Sequence, residues 1–295
     1  STPGYTREVA HFEANPVTPV GSIFMGTGAS VDKITRQYNA FMEANLRNSN
    51  SDLSSQAPMV DYANRVVDIM GGQTTGLSGS LDQFFSAARD LSGDPASTVL
   101  RSSFLRDAVG VADRFGQLSG QLDSIQEETS QALQGQIQQV NSLTKQLALV
   151  NFQLNKQRLS DAQPPGLLDQ RDQLLLQISD FAHVNTKFEI NGVVTVSLGP
   201  SITQDVVVSG NNAIEIGANF NAASPEKVAM VLDPFGKSIA LNGPTSGSIA
   251  GMMAFREQVL GNSHAALDSL AKTFANAVND IHQGGIDGYG KPAGA

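Results

Sequence analysis

The sequence predicts an α+β protein, an elongated bundle of long antiparallel helices with a small antiparallel β domain inserted before the last long helix. Three features carry that prediction. Leu133, Ile137, Val140, Leu143, Leu147, Val150 and Leu154 recur at steps of four and three, which puts them on one stripe of a helix. Met253, Leu260, Leu267, Phe274 and Ile281 recur at sevens, the spacing of a helix packed along another long helix. Between these two stretches, from Val184, the period changes to short β-type runs separated by Gly and Asn pairs. Continued back through Leu118, Leu122 and Ile125, the first stripe implies a helix of roughly 55 Å at 1.5 Å per residue. The sevenfold stripe is its expected partner.

Composition narrows the function classes. The 295 residues are long enough for a sizeable core, and 40% hydrophobic against 16% charged residues describes a folded chain. A formal charge of −9 opposes nucleic-acid binding, which needs clustered Lys and Arg on phosphate. With no cysteine there are no disulfides, thiol nucleophiles or cysteine-held zinc, and with no tryptophan there is little material for an aromatic cage. No apolar run approaches a membrane span, and residues 1–13 lack the apolar core of a signal peptide. The chain begins without Met, which is expected of a fragment or a processed form.

In chain order, residues 1–30 carry too many Pro and Gly for a helix and read as an extended segment packed on the bundle. Residues 31–184 read as the first part of the bundle. Its first helix begins near Val31, with Ile34, Tyr38, Phe41 and Asn45 on one face. A polar break at 48–55 and Pro58 starting the next helix follow, with Gly71-Gly72 as its stop. A third helix carries Leu77, Leu81, Phe84, Phe85, Ala88 and Leu91 and ends at Gly93-Asp94-Pro95. Gly110, Gly116 and Gly120 mark possible bends or close contacts in the run that leads into the ladder. Past the Pro164-Pro165 turn, Leu168, Leu174, Leu175 and Ile178 give a shorter helix. Residues 185–247 are the inserted β domain, where Asn191-Gly192 between apolar runs signals a type I′ hairpin. Residues 248–295 are the last long helix and a Gly-rich tail.

Candidate chemical sites are few. His11, His183, His264 and His282 lack the spacing of a helical metal motif, and no cofactor or metal site is expected. Gly26-Thr27-Gly28 and the run from Gly71 to Gly76 look like phosphate loops but follow no buried parallel strand and contain no Gly-Lys-Ser/Thr, so both read as turns. Asp169, Arg171 and Asp172 cluster at a helix start, where carboxylates complement the helix dipole. Arg171 can pair with Asp169, with Asp172 or with a charge on the ladder helix. A paired-carboxylate active site on Asp169 and Asp172 lacks the converging strands and loops that a pocket needs.

Several motifs resemble the flagellar hook-associated proteins, in particular the family that joins hook to filament. Thr2-Pro3-Gly4-Tyr5-Thr6-Arg7 is similar to the signature that follows the first helix of flagellar rod, hook and hook-associated proteins. Gly26-Thr27-Gly28 followed by Arg36, Tyr38 and Leu46-Arg47, then Leu167–Leu174 with Asp169, Arg171 and Asp172, resemble two further family blocks. Gly247–Met252 through Phe255-Arg256, with Phe274–Asn279, resembles a fourth. The blocks stand in the family's order over nearly the whole chain, with Ala29 where Val is common and Asn39 where Asp is common. The resemblance implies a structural subunit of the bacterial flagellum, not an enzyme, exported by the flagellar type III route without a cleavable signal peptide and located outside the cell. Its implied partners are the hook protein, the second junction protein and identical neighbours. The family's terminal helices, which pair in the inner tube and drive polymerisation, are expected to be missing here, so the fragment is expected to be monomeric; an export chaperone would act through those segments. The β domain is expected to project outward. Two other functions compete: a secreted adhesin or effector using the β domain as a binding head, and a hydrolase using Asp169 and Asp172.

Overall fold

The computed structural model describes residues 6–16, 18–20, 22–72, 76–156, 163–199, 201–221, 224–233, 237–286 and 291. Two antiparallel ribbons come first: β1 (Glu8–Ala14) pairs with β4 (Ala29–Arg36), and β2 (Thr18–Val20) pairs with β3 (Ile23–Met25). The helices α1 (Ala40–Gly71), α2 (Ser78–Gly93), α3 (Thr98–Lys156) and α4 (Pro165–Ser179) follow. A four-stranded antiparallel sheet of β5 (Asn185–Phe188), β6 (Val194–Ser197), β7 (Val206–Ser209) and β8 (Asn212–Ala213) has the order 5-6-7-8. A second sheet joins β9 (Glu215–Phe220), β10 (Val228–Asp233) and β11 (Ile239–Ala240) in the order 11-10-9. The chain closes with α5 (Ser248–Ala254), a π-helical turn at Phe255–Leu260 and α6 (Gly261–Gln283). A helical bundle with a small antiparallel β part is therefore the observed class, as the sequence predicts.

The chain forms two compact units: residues 1–57, 133–219 and 228–251, and residues 58–132, 220–227 and 252–295. In the first unit the ladder residues are core, with Leu133, Val140, Leu147 and Leu154 fully buried. Their cover is not the sevenfold helix. Val194, Val196, Val207 and Val208 of the sheet and Leu175 and Ile178 of α4 are fully buried in this unit. Two ladder-helix asparagines also bind strand backbone directly. Asn151 donates from Nδ2 to Val194 O at 2.8 Å and accepts the Val194 N–H at 3.0 Å. Asn141 does the same with Ile216, donating to its O at 2.9 Å and accepting its N–H at 2.9 Å. At β9, the edge strand of its sheet, the Asn141 carboxamide stands in for a missing neighbour, whereas Asn151 meets the end of the inner strand β6, where it also donates to Gly210 O. The β strands are thus docked on α3, against the expectation of an outward-projecting module.

In the second unit the sevenfold stripe is core as well, but against the earlier part of α3. Leu260 and Leu267 share one cluster with Leu118, Leu122, Ile125, Val66, Leu77 and Phe255. Phe274 packs edge-on to Phe84 at 5.3 Å, and Phe104 and Phe115 extend that aromatic group. The ladder is a buried face, whereas of the sevens Leu260 and Leu267 are buried, Met253 and Phe274 are half-buried and Ile281 is 78% exposed. The sevens pack on Leu118, Leu122 and Ile125, the backward continuation of the ladder, so the pairing is corrected only for residues 133–154, because period identifies a buried face and says nothing about what covers it.

Four local expectations also change. The helix placed from Val31 starts at Ala40, because residues 29–36 pair as β4 with β1 from Glu8↔Arg36 to Ala14↔Ala29. Asn39 caps the true start, its Oδ1 accepting the N–H groups of Phe41 and Met42. The polar break at 48–55 is continuous helix: Ser51 is fully buried, bonds Ser246 Oγ at 2.6 Å and gives its carbonyl to Gly247 N–H. Pro58 consequently lies inside α1 and does not begin a helix. Gly110, Gly116 and Gly120 make no close contact. The Asn191-Gly192 hairpin is wider than a two-residue type I′ turn, with Phe188 opposite Val194 and the positive φ at Gly192 alone.

Candidate functional site

Blocks that are far apart in the sequence meet in the first unit where β4 ends and α4 begins. Arg36, the last residue of β4, sends Nη2 to Asp169 Oδ1 at 2.6 Å and to Asp172 Oδ2 at 2.9 Å on α4. The same nitrogen donates to Thr6 Oγ1 at 2.8 Å, and Gln37 N–H donates to Arg7 O at 2.8 Å. Arg171, one turn into α4, donates from Nε and Nη2 to Asp172 Oδ1 at 2.9 and 2.7 Å and from Nη1 to Gly192 O at 2.7 Å. A helix places residues three apart on one side, which is why Asp169 and Asp172 reach the same arginine. Of the partners Arg171 was given by sequence, Asp172 is the one it takes.

Aromatic rings hold the cluster from the other side. The Arg171 guanidinium lies 4.6 Å from the Phe188 ring centroid and 5.9 Å from that of Tyr38, and Arg36 lies 5.6 Å from Tyr38. Tyr38 and Phe188 meet edge-to-face at 6.4 Å. Burial raises the Tyr38 phenol above its usual value and Asp172 adds to the rise, while Arg171 and Arg47 oppose it. At Gly192, where φ is +80°, a Cβ would come within 2.8 Å of Leu168 Cδ2, so the turn is closed by glycine and gripped by Arg171. Arg36, Tyr38, Arg171 and Phe188 line a cleft of about 500 Å³ with Ile34, Leu168 and Ile190.

This arrangement is a clamp. Both side chains of the Asp169/Asp172 pair are neutralised by arginine, and the arginine side chains are 5–6% exposed. Their hydrogen bonds and ion pairs go to strand, helix and hairpin of the same unit. Among the described residues no group of three His, Cys, Asp or Glu is placed to hold a metal ion.

The remaining motif residues go elsewhere. Gly26 and Gly28 lie at the end of the β1–β4 ribbon away from Arg36, where Gly28 has φ +87° and its carbonyl accepts Asn15 N–H at 2.9 Å. Thr2, Pro3, Gly4 and Tyr5 lie outside the described residues. Phe255 and Arg256 belong to the second unit. Arg256, 1% exposed within the π-helical turn, donates to Gln126 O at 2.7 Å, Thr129 Oγ1 at 2.5 Å, Ser130 Oγ at 3.0 Å and Pro225 O at 2.5 Å. Desolvation lowers its pKa, with Glu127 and Glu226 opposing. It ties the 220–227 segment to α3 of that unit. His264 stands 3.7 Å from Asp123.

Sequence reasoning missed Asn151 and Asn141. Asn151 had a signal: it is fully buried and sits between Leu147 and Leu154, on the stripe itself. A carboxamide in an apolar seam announces a buried polar partner.

The family model for the flagellar hook-associated protein FlgK helical domain matches residues 63–295. Flagellar hook-associated protein 1 of Salmonella typhimurium is 27% identical over 293 residues, covering 97% of this chain and 52% of its own length. The Escherichia coli protein of that name is 25% identical over 295 residues, covering 97% of this chain and 53% of its own. The structure of the flagellar hook junction protein FlgK from Burkholderia pseudomallei superposes with a TM-score of 0.74 at 24% identity, over 87% of this chain and 46% of that one, and shows the same fold. The chain spans about half the length of these relatives. With its four motif blocks in order and its helical residues matched from 63 onward, the chain belongs to the flagellar hook-associated protein FlgK helical-domain family.

Proposed function

We propose that this chain is part of a structural subunit of the bacterial flagellum that joins hook to filament, through lateral contacts with identical neighbours and axial contacts with the hook protein and the second junction protein. The observation that carries the reading is family membership over residues 63–295. The motif cluster supports it: Arg36, Asp169, Arg171 and Asp172 use their charges to hold strand, helix and hairpin together, as a structural part under torque requires and a hydrolase does not. A subunit exported unfolded and refolded outside the cell also suits a chain without cysteine. The adhesin alternative needs a β head free of the bundle, whereas Asn141 and Asn151 pin the strands to α3.

The test is complementation. The whole protein that contains this chain, expressed in a strain lacking its hook-associated protein 1, is expected to restore filaments on bare hooks and swimming motility. Export of the protein with hooks left bare and filament subunits shed into the medium would overturn the reading.

A further inference from the structure

This chain shows repeatedly how it keeps a buried guanidinium satisfied. Arg36 meets three oxygens, Arg171 meets Asp172 and Gly192 O, and Arg256 has four oxygen acceptors. Nε of Arg36 and of Arg256 still lacks a partner, and Arg47, on α1 in the first unit, is left with two such nitrogens. It is 3% exposed; its Nη2 donates to Thr186 Oγ1 at 3.4 Å, its guanidinium lies against the Tyr38 hydroxyl, and its Nε and Nη1 have no partner of good geometry. The buried Tyr38 hydroxyl beside it has no hydrogen bond of good geometry either. Around Tyr38 stand three guanidinium groups, Arg36, Arg47 and Arg171, and two carboxylates, Asp169 and Asp172, both already engaged by Arg36 and Arg171. Among the described residues no carboxylate pairs with the buried Arg47, an arrangement that costs several kcal/mol unless something compensates it.

We propose that the free donors of Arg47, Tyr38 and Thr186 bind a small monovalent anion of the halide class. Nε–H and Nη1–H of Arg47 and the Tyr38 O–H point to an acceptor, and Thr186, which already accepts from Nη2, has its own O–H left to give. Every one of these groups is a donor. A water molecule would satisfy some of them and leave the charge, whereas a halide accepts all of them and neutralises Arg47. Tyr38 also lines the 500 Å³ cleft, with Arg47 and Thr186 behind its wall. The bound ion joins α1, β5 and the segment that follows β4, beside the Arg36 clamp.

Wild-type crystals soaked in bromide test this directly, since bromide substitutes for chloride and is located by anomalous scattering. A peak within hydrogen-bond distance of Arg47 Nη1 and Tyr38 Oη is expected. Water alone at Arg47, or a carboxylate from a neighbouring molecule, overturns the proposal. In solution, thermal unfolding at constant ionic strength is expected to shift upward as chloride replaces gluconate, by linkage to the folded state. Arg47→Met abolishes that dependence. Should Arg47→Met fail to fold, Tyr38→Phe keeps the ring, removes one donor, and is expected to raise the half-saturating chloride concentration by about tenfold. Identical chloride dependence in wild type and either variant overturns the proposal.

Discussion

At the scale of single residues, the first unit depends on charges that are paired while almost dry. Arg36 shares one nitrogen among Thr6, Asp169 and Asp172, so removing it leaves Asp169, 18% exposed, without its arginine and Asp172 with Arg171 alone. Arg36→Met is expected to cost on the order of 3 kcal/mol, because breaking one side of a buried pair leaves the other unpaired. Urea unfolding of the variant measures this as a lowered midpoint, and Arg36→Met combined with Asp169→Asn and Asp172→Asn is expected to recover part of the loss. In the second unit the pairing is wet. Arg65 binds Glu128 through two bonds at 2.7 and 2.8 Å, with both side chains about half exposed. The hydrogen bond from Arg65 holds the Glu128 carboxyl below the usual glutamate range. A depressed carboxyl pKa gives stability that is present above the unfolded value and lost as pH falls through the folded one. Glu128→Gln is therefore expected to flatten the acid side of the stability profile below pH 4.5, the ordinary glutamate value, and high salt to shrink the difference.

At the scale of elements, close approach and edge protection decide what packs on what. Gly251 in α5 brings that helix so near α1 that a Cβ would overlap Ser55 O, and Gly247 at φ +92° would place a Cβ 2.4 Å from Ala182 N. Gly251→Ala is expected to destabilise by about 3 kcal/mol or to prevent folding, since backbone must move to admit the methyl. Circular dichroism at 222 nm during thermal unfolding reads this out. Asn151 carries three bonds to strand backbone, to Val194 O, Val194 N–H and Gly210 O. Asn151→Ala leaves buried strand groups unsatisfied and is expected to cost about 2–3 kcal/mol. Amide exchange at Val194 is expected to accelerate in that variant more than exchange along α2. Asn151→Asp is the sharper comparison, because the carboxylate keeps the acceptor for Val194 N–H and loses the donor for the two carbonyls.

At the scale of the whole molecule, assembly is the property to test. The complete protein is expected to restore hook-to-filament continuity, and Arg36→Met within it is expected to reduce motility in proportion to the folded fraction, since the clamp holds the unit together. Swimming zones measured beside export levels separate loss of fold from loss of assembly. Much of this was legible in the chain itself. The ladder at 133–154 and, among the sevens, Leu260 and Leu267 are buried, the strands from 206 onward lie where β-branched runs sit between Gly and Asn, and the motif blocks bear Arg36, Tyr38, Asp169, Arg171 and Asp172, which meet. Periodicity and local chemistry suffice for these because both act within a few residues. The partners were decided by tertiary structure. The ladder took the sheet and the sevens took the earlier part of α3, residues 29–36 became a strand because β1 was opposite them, and the polar stretch at 48–55 stayed helical because Ser51 found Ser246. A side chain carries its own hydrophobicity and hydrogen-bonding capacity, but which distant group satisfies it is set only when the chain closes on itself, and at Arg36, Asn151 and Arg47 that closure is what gives the residue its meaning.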